Sequence, residues 1–196
     1  MDDAKNIRAF LALDIPAAVL DEIAAIQRRM QKILSGEIRW TNPSGIHLTL
    51  KFFGNISEGD AISITGAIGP IAAATKPLPL EIRTAGVFPD ARRPRILWLG
   101  MGGEANRLVA LQATVENALA GLGFAKEERL FRPHLTIARI KSPKGLTGIS
   151  GLLDNRGVYN AGSFVGHSLT LFRSTLTPKG AVYTELGKFA FQETTP

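Results

Sequence analysis

Residues 47–50 read HLTL, and residues 134–137 read HLTI, 87 positions further on. The chain has three histidines, and these frames hold two of them. Each frame is preceded by a stretch with helical periodicity. In the first, Val19, Leu20, Ile23, Ile26, Met30 and Ile33 recur at helical spacing. In the second, Leu108, Leu111, Val115, Leu119 and Leu122 form the apolar stripe, and Gly123 ends it. The expected helix starts, Ala17 and Glu104, are also 87 residues apart. A unit of helix, connector and His-x-Thr strand therefore occurs twice in matching register. Two copies are too few for a solenoid and predict two similar lobes facing each other.

The remaining segments fit between these landmarks. Residues 7–14, closed by Ile15-Pro16, read as a strand. A turn is expected at Asn42-Pro43-Ser44-Gly45, and weak helical character over 60–75 is interrupted by Gly66, Gly69 and Pro70. Residues 78–88 and 95–101 read as strands around an arginine-rich loop. Residues 142–157 are expected to be irregular. Residues 163–176 and 181–191 read as an antiparallel pair joined by a turn at Thr177-Pro178-Lys179-Gly180. Consecutive runs of strands between helices favour an α+β fold with antiparallel sheets.

On a strand, residues i and i+2 share a face. His47 projects with Thr49, and His134 with Thr136, while Leu48, Leu50, Leu135 and Ile137 project oppositely into each lobe's core. If the polar faces meet, two imidazoles line one cleft, each beside a hydroxyl. Histidine titrates near neutral pH, so one ring can take a proton while the other gives one. The hydroxyls both donate and accept, which suits a phosphoryl oxygen or an attacking water. Arg139, just after the second motif, is a candidate to neutralise an anionic oxygen if it reaches the cleft from the strand's end or through a twist. It lies an odd number of residues from His134, however, so strict alternation turns it away from the cleft.

Composition removes other chemistries. With no cysteine, disulfides, thiolate catalysis and Cys-based metal sites are excluded. No G-x-S-x-G elbow, G-x-G-x-x-G fingerprint or Walker loop is present. No metal site is expected, since threonine follows each histidine where a ligand would stand and no acid-rich cluster supports one. Lys and Arg number 23 against 17 Asp and Glu, a formal net charge of +6. That balance is compatible with a polyanionic partner. The N-terminus opens with acids, lacks the order of a signal peptide, and no run is long enough to span a bilayer. The expectation is a cytoplasmic protein with no membrane association. His167 reads as a structural or surface histidine, and Arg92, Arg93 and Arg95 as a solvated loop that contacts phosphates only if it borders the cleft. Phe52, Phe53, Trp40 and Trp98 read first as core residues, with base stacking as the other use.

The residues that carry this pattern resemble a known family. RAFLALDIP, RWTNPSGIHLTLKFFG, FRPHLTIARIK and LTLFRSTLTPKGAVYTEL are similar to segments of the 2H phosphoesterases, in particular the RNA 2′,3′-cyclic phosphodiesterases, historically called 2′-5′ RNA ligases. The resemblance implies one two-lobed domain over residues 1–196, with pseudo-two-fold symmetry around a central cleft. It implies metal-free, cofactor-free hydrolysis of an RNA 2′,3′-cyclic phosphate end to a 2′-phosphate, with reversible 2′-5′ ligation in some members. His47, Thr49, His134 and Thr136 would be the catalytic four. Arg139 matches the family's phosphate-binding arginine, and Phe52 is added as a substrate-binding residue. The implied partner is RNA with a cyclic phosphate end, tRNA fragments among the candidates, acted on by a monomer with no obligate protein partner. His134 is assigned to activating water and His47 to protonating O3′, with the reverse kept open. Two rival readings stay beside this one: a non-catalytic RNA-binding module, and a phosphodiesterase for a small nucleotide cyclic phosphate.

Overall fold

A computed structural model describes residues 6–154, 159–178 and 180–192. Within these residues, nine strands form two antiparallel sheets. They are β1 (Ile7–Leu13), β2 (Ile38–Trp40), β3 (Leu48–Ile56), β4 (Leu78–Phe88), β5 (Ile96–Gly103), β6 (His134–Ile140), β7 (Gly162–Gly166), β8 (Ser168–Thr177) and β9 (Gly180–Ala190). The first sheet has the order β3-β1-β8-β9 and the second β2-β6-β5-β4-β7. Apart from β2, the orders correspond position by position, so the duplication in sequence reappears as two matching sheets. The lobes are nevertheless not the two halves of the chain. The first sheet takes β8 and β9 from the C-terminal end, while the second takes β2 and β4 from the N-terminal half.

The helices are α1 (Ala17–Ile33), α2 (Glu58–Ala73), α3 (Ala105–Ala120) and α4 (Ile149–Asp154). Helix α1 follows Pro16 and buries Val19, Ile23, Ile26 and Met30, as its apolar spacing requires. It packs against β7 of the second sheet, whereas α3 packs against α2 and β3 on the side of the first and also touches β4 of the second. Helix α1 of the first half thus reaches the second sheet, and α3 of the second half reaches the first.

Helix α2 starts two residues earlier than expected and is better defined than its glycines foretell. A capping box starts it: Ser57 Oγ accepts from the Asp60 amide at 3.0 Å, and the Asp60 carboxylate accepts from the Ser57 amide at 2.8 Å. Ile64, Ile68 and Ala72 then bury one face, and that packing outweighs the low propensity of Gly66 and Gly69.

Two other expectations are corrected. The stretch 163–176 is two strands, not one: β7 edges the second sheet and β8 lies inside the first, with exposed His167 at the break. Leu169, Leu171 and Phe164 are all buried, and Phe164 lies an odd number of residues from both leucines, so a single straight strand would turn them to opposite faces. The supposedly irregular 142–157 includes α4, seated by buried Ile149 and Leu152; residues 155–158 lie outside the described residues. The pairing of β8 with β9 is as expected, although Lys179 of the connecting turn is also outside them.

Candidate active site

The two motif strands, β3 and β6, run in contact where the sheets meet. Leu48, Leu50, Leu135 and Ile137 are buried, while His47, Thr49, His134 and Thr136 are half-buried on the opposite faces. The clean alternation read from the sequence holds as far as each threonine.

Beyond the threonine, both strands carry a bulge. Along β6, Trp98 pairs with Thr136 but Leu97 pairs with Ala138, so Ile137 is the extra residue. Along β3, Leu11 pairs with Lys51 but Ala12 with Thr49, so Leu50 is the extra residue. A bulge puts two successive side chains on one side and reverses the parity that follows. Ile137 and Ala138 are both buried, as are Leu50 and Lys51. Arg139 therefore pairs with Ile96, on the face that carries Trp98 and, opposite Gly100, His134. The odd spacing of Arg139 from His134 is thus no obstacle, because the bulge returns it to the face of His134 and Thr136. Phe52 gains the same face in the first sheet, paired with Phe10 and 65% exposed.

Each bulge is held by a glutamine from the other half of the chain. Gln27 of α1 donates its side-chain amide to the Ile137 carbonyl at 2.9 Å and to the Thr41 carbonyl at 2.8 Å. Gln112 of α3 donates to the Leu50 carbonyl at 3.4 Å and to Glu116 at 3.1 Å. Both glutamines are buried. Beside Leu50, the buried Lys51 ammonium pairs with Glu116 at 2.8 Å and donates to the Ala125 carbonyl. Sequence spacing singles out none of these four polar residues. The readable signal is a glutamine interrupting each apolar helical stripe at nearly the repeat offset.

The histidines are oriented alike. His47 Nδ1 lies 2.9 Å from the Gly45 carbonyl, and His134 Nδ1 lies 2.7 Å from the Arg132 carbonyl. A carbonyl only accepts, so Nδ1 carries the proton in each ring and Nε2 is left for chemistry. The local sequence supplies both carbonyls. A 3₁₀ turn over Pro43–Gly45, capped by the Asn42 side chain on the Ser44 amide, presents Gly45. Pro133 holds Arg132 extended before His134.

Their surroundings differ. His47 stacks on Phe10 at 4.4 Å between ring centroids and meets the edge of Tyr183 at 5.1 Å, with Phe172 at 6.3 Å. Burial pushes its pKa from 6.5 down to about 4, against the opposing pull of the Gly45 carbonyl and the Asp14 carboxylate. Phe52 tilts against Phe10 at 5.8 Å, extending this aromatic surface to solvent. His134 meets the edges of Phe88 at 5.0 Å and Trp98 at 6.4 Å. The Trp98 indole lies over Gly86, where any side chain would collide with it. Trp98 is thus on the cleft face and Trp40 on the core side, while Phe53 is half-buried against Phe124. One side of the cleft is aromatic, and the other combines aromatic rings with arginine.

Of the loop arginines, Arg92 and Arg93 are exposed with their amides on the Asp90 carboxylate. Arg95 donates to the Lys141 carbonyl at 3.1 Å, near the Arg139 end of β6. His167 is exposed, at the break between β7 and β8. Among the described residues, no group of three or more His, Cys, Asp or Glu is placed to hold a metal ion, and no helix is long and apolar enough to cross a membrane.

Comparison with known proteins agrees with this geometry. The family model for LigT-like phosphoesterases matches twice, over residues 13–98 and 99–183. A protein of Methanothermobacter thermautotrophicus named RNA 2′,3′-cyclic phosphodiesterase is 33% identical over 94% of this chain and 98% of its own length. One of Aquifex aeolicus with the same name is 32% identical over 94% and 97%. Among solved structures, Escherichia coli LigT complexed with 3′-AMP superposes with a TM-score of 0.78 at 24% identity, covering 96% of this chain and 100% of that one. A protein of Thermus thermophilus superposes with a TM-score of 0.80, also at 24% identity, over 95% and 98%. The duplicated motif, the matching sheets and the double match together place this chain in the LigT-like phosphoesterase (2H phosphoesterase) family.

Proposed function

We propose that the protein hydrolyses RNA 2′,3′-cyclic phosphate ends to 2′-phosphate ends, using His47 and His134 as an acid–base pair without a metal. The observation that carries this reading is the shared tether: each ring spends Nδ1–H on the carbonyl two residues earlier and keeps Nε2 for the cleft. Thr49 and Thr136 hold the non-bridging phosphate oxygens, Arg139 neutralises them, and exposed Phe52 offers a face for the terminal base. The names of the relatives point to the same substrate class.

In the reaction, one neutral imidazole takes a proton from water as its oxygen attacks phosphorus. The P–O3′ bond breaks, and the other, protonated imidazole gives O3′ its proton. The products are a 3′-hydroxyl and a 2′-phosphate, and exchange with solvent resets both rings. The sequence reading gives His134 the water and His47 the O3′ proton. Burial of His47 favours the reverse in the resting protein, since that ring is neutral at pH 7. Ligation through a 2′-5′ linkage is the same displacement with a 5′-hydroxyl in place of water.

The test is purified protein with an oligonucleotide ending in 2′,3′-cyclic phosphate, in EDTA, with end groups resolved. A 2′-phosphate product that falls by about two orders of magnitude or more in His47→Ala and in His134→Ala is the expected result. Near-normal turnover by either variant sinks the two-histidine mechanism. Salt-dependent binding without turnover would instead indicate a binding module.

A further inference from the structure

Strand β2 brings to the cleft a residue that the reaction above does not use. Arg39 pairs in register with Arg139 across β2 and β6, so the two side chains leave the same face of the second sheet next to one another. The neighbours Ile38 and Trp40 pack toward the core, and both arginines are exposed. Arg39 also reaches toward the opposite lobe, since a Cβ on Gly180 at the start of β9 would stand 3.9 Å from its Nη2. Its guanidinium therefore spans the gap between the sheets at the Arg139 end of the cleft. Among the described residues, neither Arg39 nor Arg139 forms an ion pair. Like charges directly opposite on adjacent strands repel one another. An anion bound between them offsets that repulsion with charge-assisted hydrogen bonds.

One arginine suffices for a single cyclic phosphate, which carries one negative charge. A second guanidinium, one strand further from the histidines, matches a second charge on the substrate. A nucleoside 2′,3′-cyclic phosphate has no second charge, whereas an RNA end does: the phosphodiester on the 5′ side of the terminal nucleotide. We propose that Arg39 binds that phosphodiester and is the residue by which the site prefers an RNA end to a free nucleoside cyclic phosphate. This inference rests on the function proposed above, and it separates RNA from the small-nucleotide alternative.

The experiment compares kcat/KM on three substrates in low salt and EDTA. They are a dinucleotide ending in 2′,3′-cyclic phosphate, the same dinucleotide with an uncharged methylphosphonate linkage, and the nucleoside 2′,3′-cyclic phosphate. Wild-type protein is expected to favour the phosphodiester over the methylphosphonate by about tenfold, the size of one hydrogen bond to a charged group. Arg39→Ala should reduce that ratio to near one, and Arg39→Lys should retain part of it. An Arg39→Ala variant that still discriminates like wild type overturns the proposal. So does a variant that loses equally on all three substrates, because Arg39 would then serve the reacting phosphate or the fold. Wild-type turnover of the nucleoside alone overturns this inference and leaves the hydrolytic chemistry intact. Turnover of none of the three overturns the proposed function, and this inference with it.

Discussion

Gln27 and Gln112 make the same contact in opposite directions: each, from the helix of one half, donates its amide to the bulged carbonyl of the other half's motif strand. The carbonyls belong to Ile137 and Leu50, the residues whose extra place in the ladder turns Arg139 and Phe52 toward the cleft. A buried carbonyl without a donor costs about 1–3 kcal/mol. Gln27→Leu and Gln112→Leu should each lower unfolding stability by that amount in denaturant titration. Gln27→Leu should also weaken substrate binding through Arg139, seen as a rise in KM. A variant as stable as wild type would mean that the bulges need no clamp.

The Lys51–Glu116 pair should behave as a buried ion pair. Among the described residues, Glu116→Ala leaves the Lys51 ammonium with only the Ala125 carbonyl as a partner, at an expected cost of about 3–5 kcal/mol. The double variant Lys51→Met, Glu116→Leu removes both charges and should recover most of the loss. Chemical denaturation of the three proteins measures this, and a double variant no better than Glu116→Ala would refute it.

Stability should fall in mild acid because of His47. The folded ring titrates at about 4 and the free side chain at 6.5. Between those values the unfolded chain binds a proton that the folded chain refuses, so the fold weakens as pH drops from 6.5 toward 4. The slope is about 1.4 kcal/mol per pH unit, with an upper bound of roughly 3 kcal/mol across the window. His47→Asn should flatten that part of the curve. Equal slopes in the two proteins would show that the ring is not desolvated.

Replacing O3′ by sulfur in the cyclic phosphate separates the acid from the base. A thiolate leaves without a proton, so the variant lacking the general acid regains activity on this substrate, while the variant lacking the base stays inactive. Rescue of His134→Ala alone is expected if His47 takes the proton from water. Rescue of His47→Ala alone reverses the roles, and rescue of neither removes leaving-group protonation from the mechanism.

The duplicated His-x-Thr frame is legible in the sequence because it obeys the simplest rule a strand offers, a period of two. His47, Thr49, His134 and Thr136 can be placed on that basis alone. Arg139 is named for its charge just after the second motif, and again through family resemblance, against its own parity, since nothing in HLTIAR announces an extra residue in the ladder. The helices α1 and α3 are readable from apolar spacing, but the sheet that each covers is not, because an apolar stripe does not name its partner. The stretch 163–176 misleads for a related reason: two short strands in different sheets share one continuous apolar pattern. Arg39 carries no signal until its register opposite Arg139 is known.

The exchange of contacts between the two halves has a consequence for their independence. One repeat standing alone would carry a bulged strand whose carbonyl finds its donor only on a second copy. It would also own one imidazole of a pair that acts together. Neither half is therefore self-sufficient: separating them would strip both motif strands of their clamps at once. The aromatic surround of His47 and the arginines beside His134 mark where the two otherwise matching halves differ.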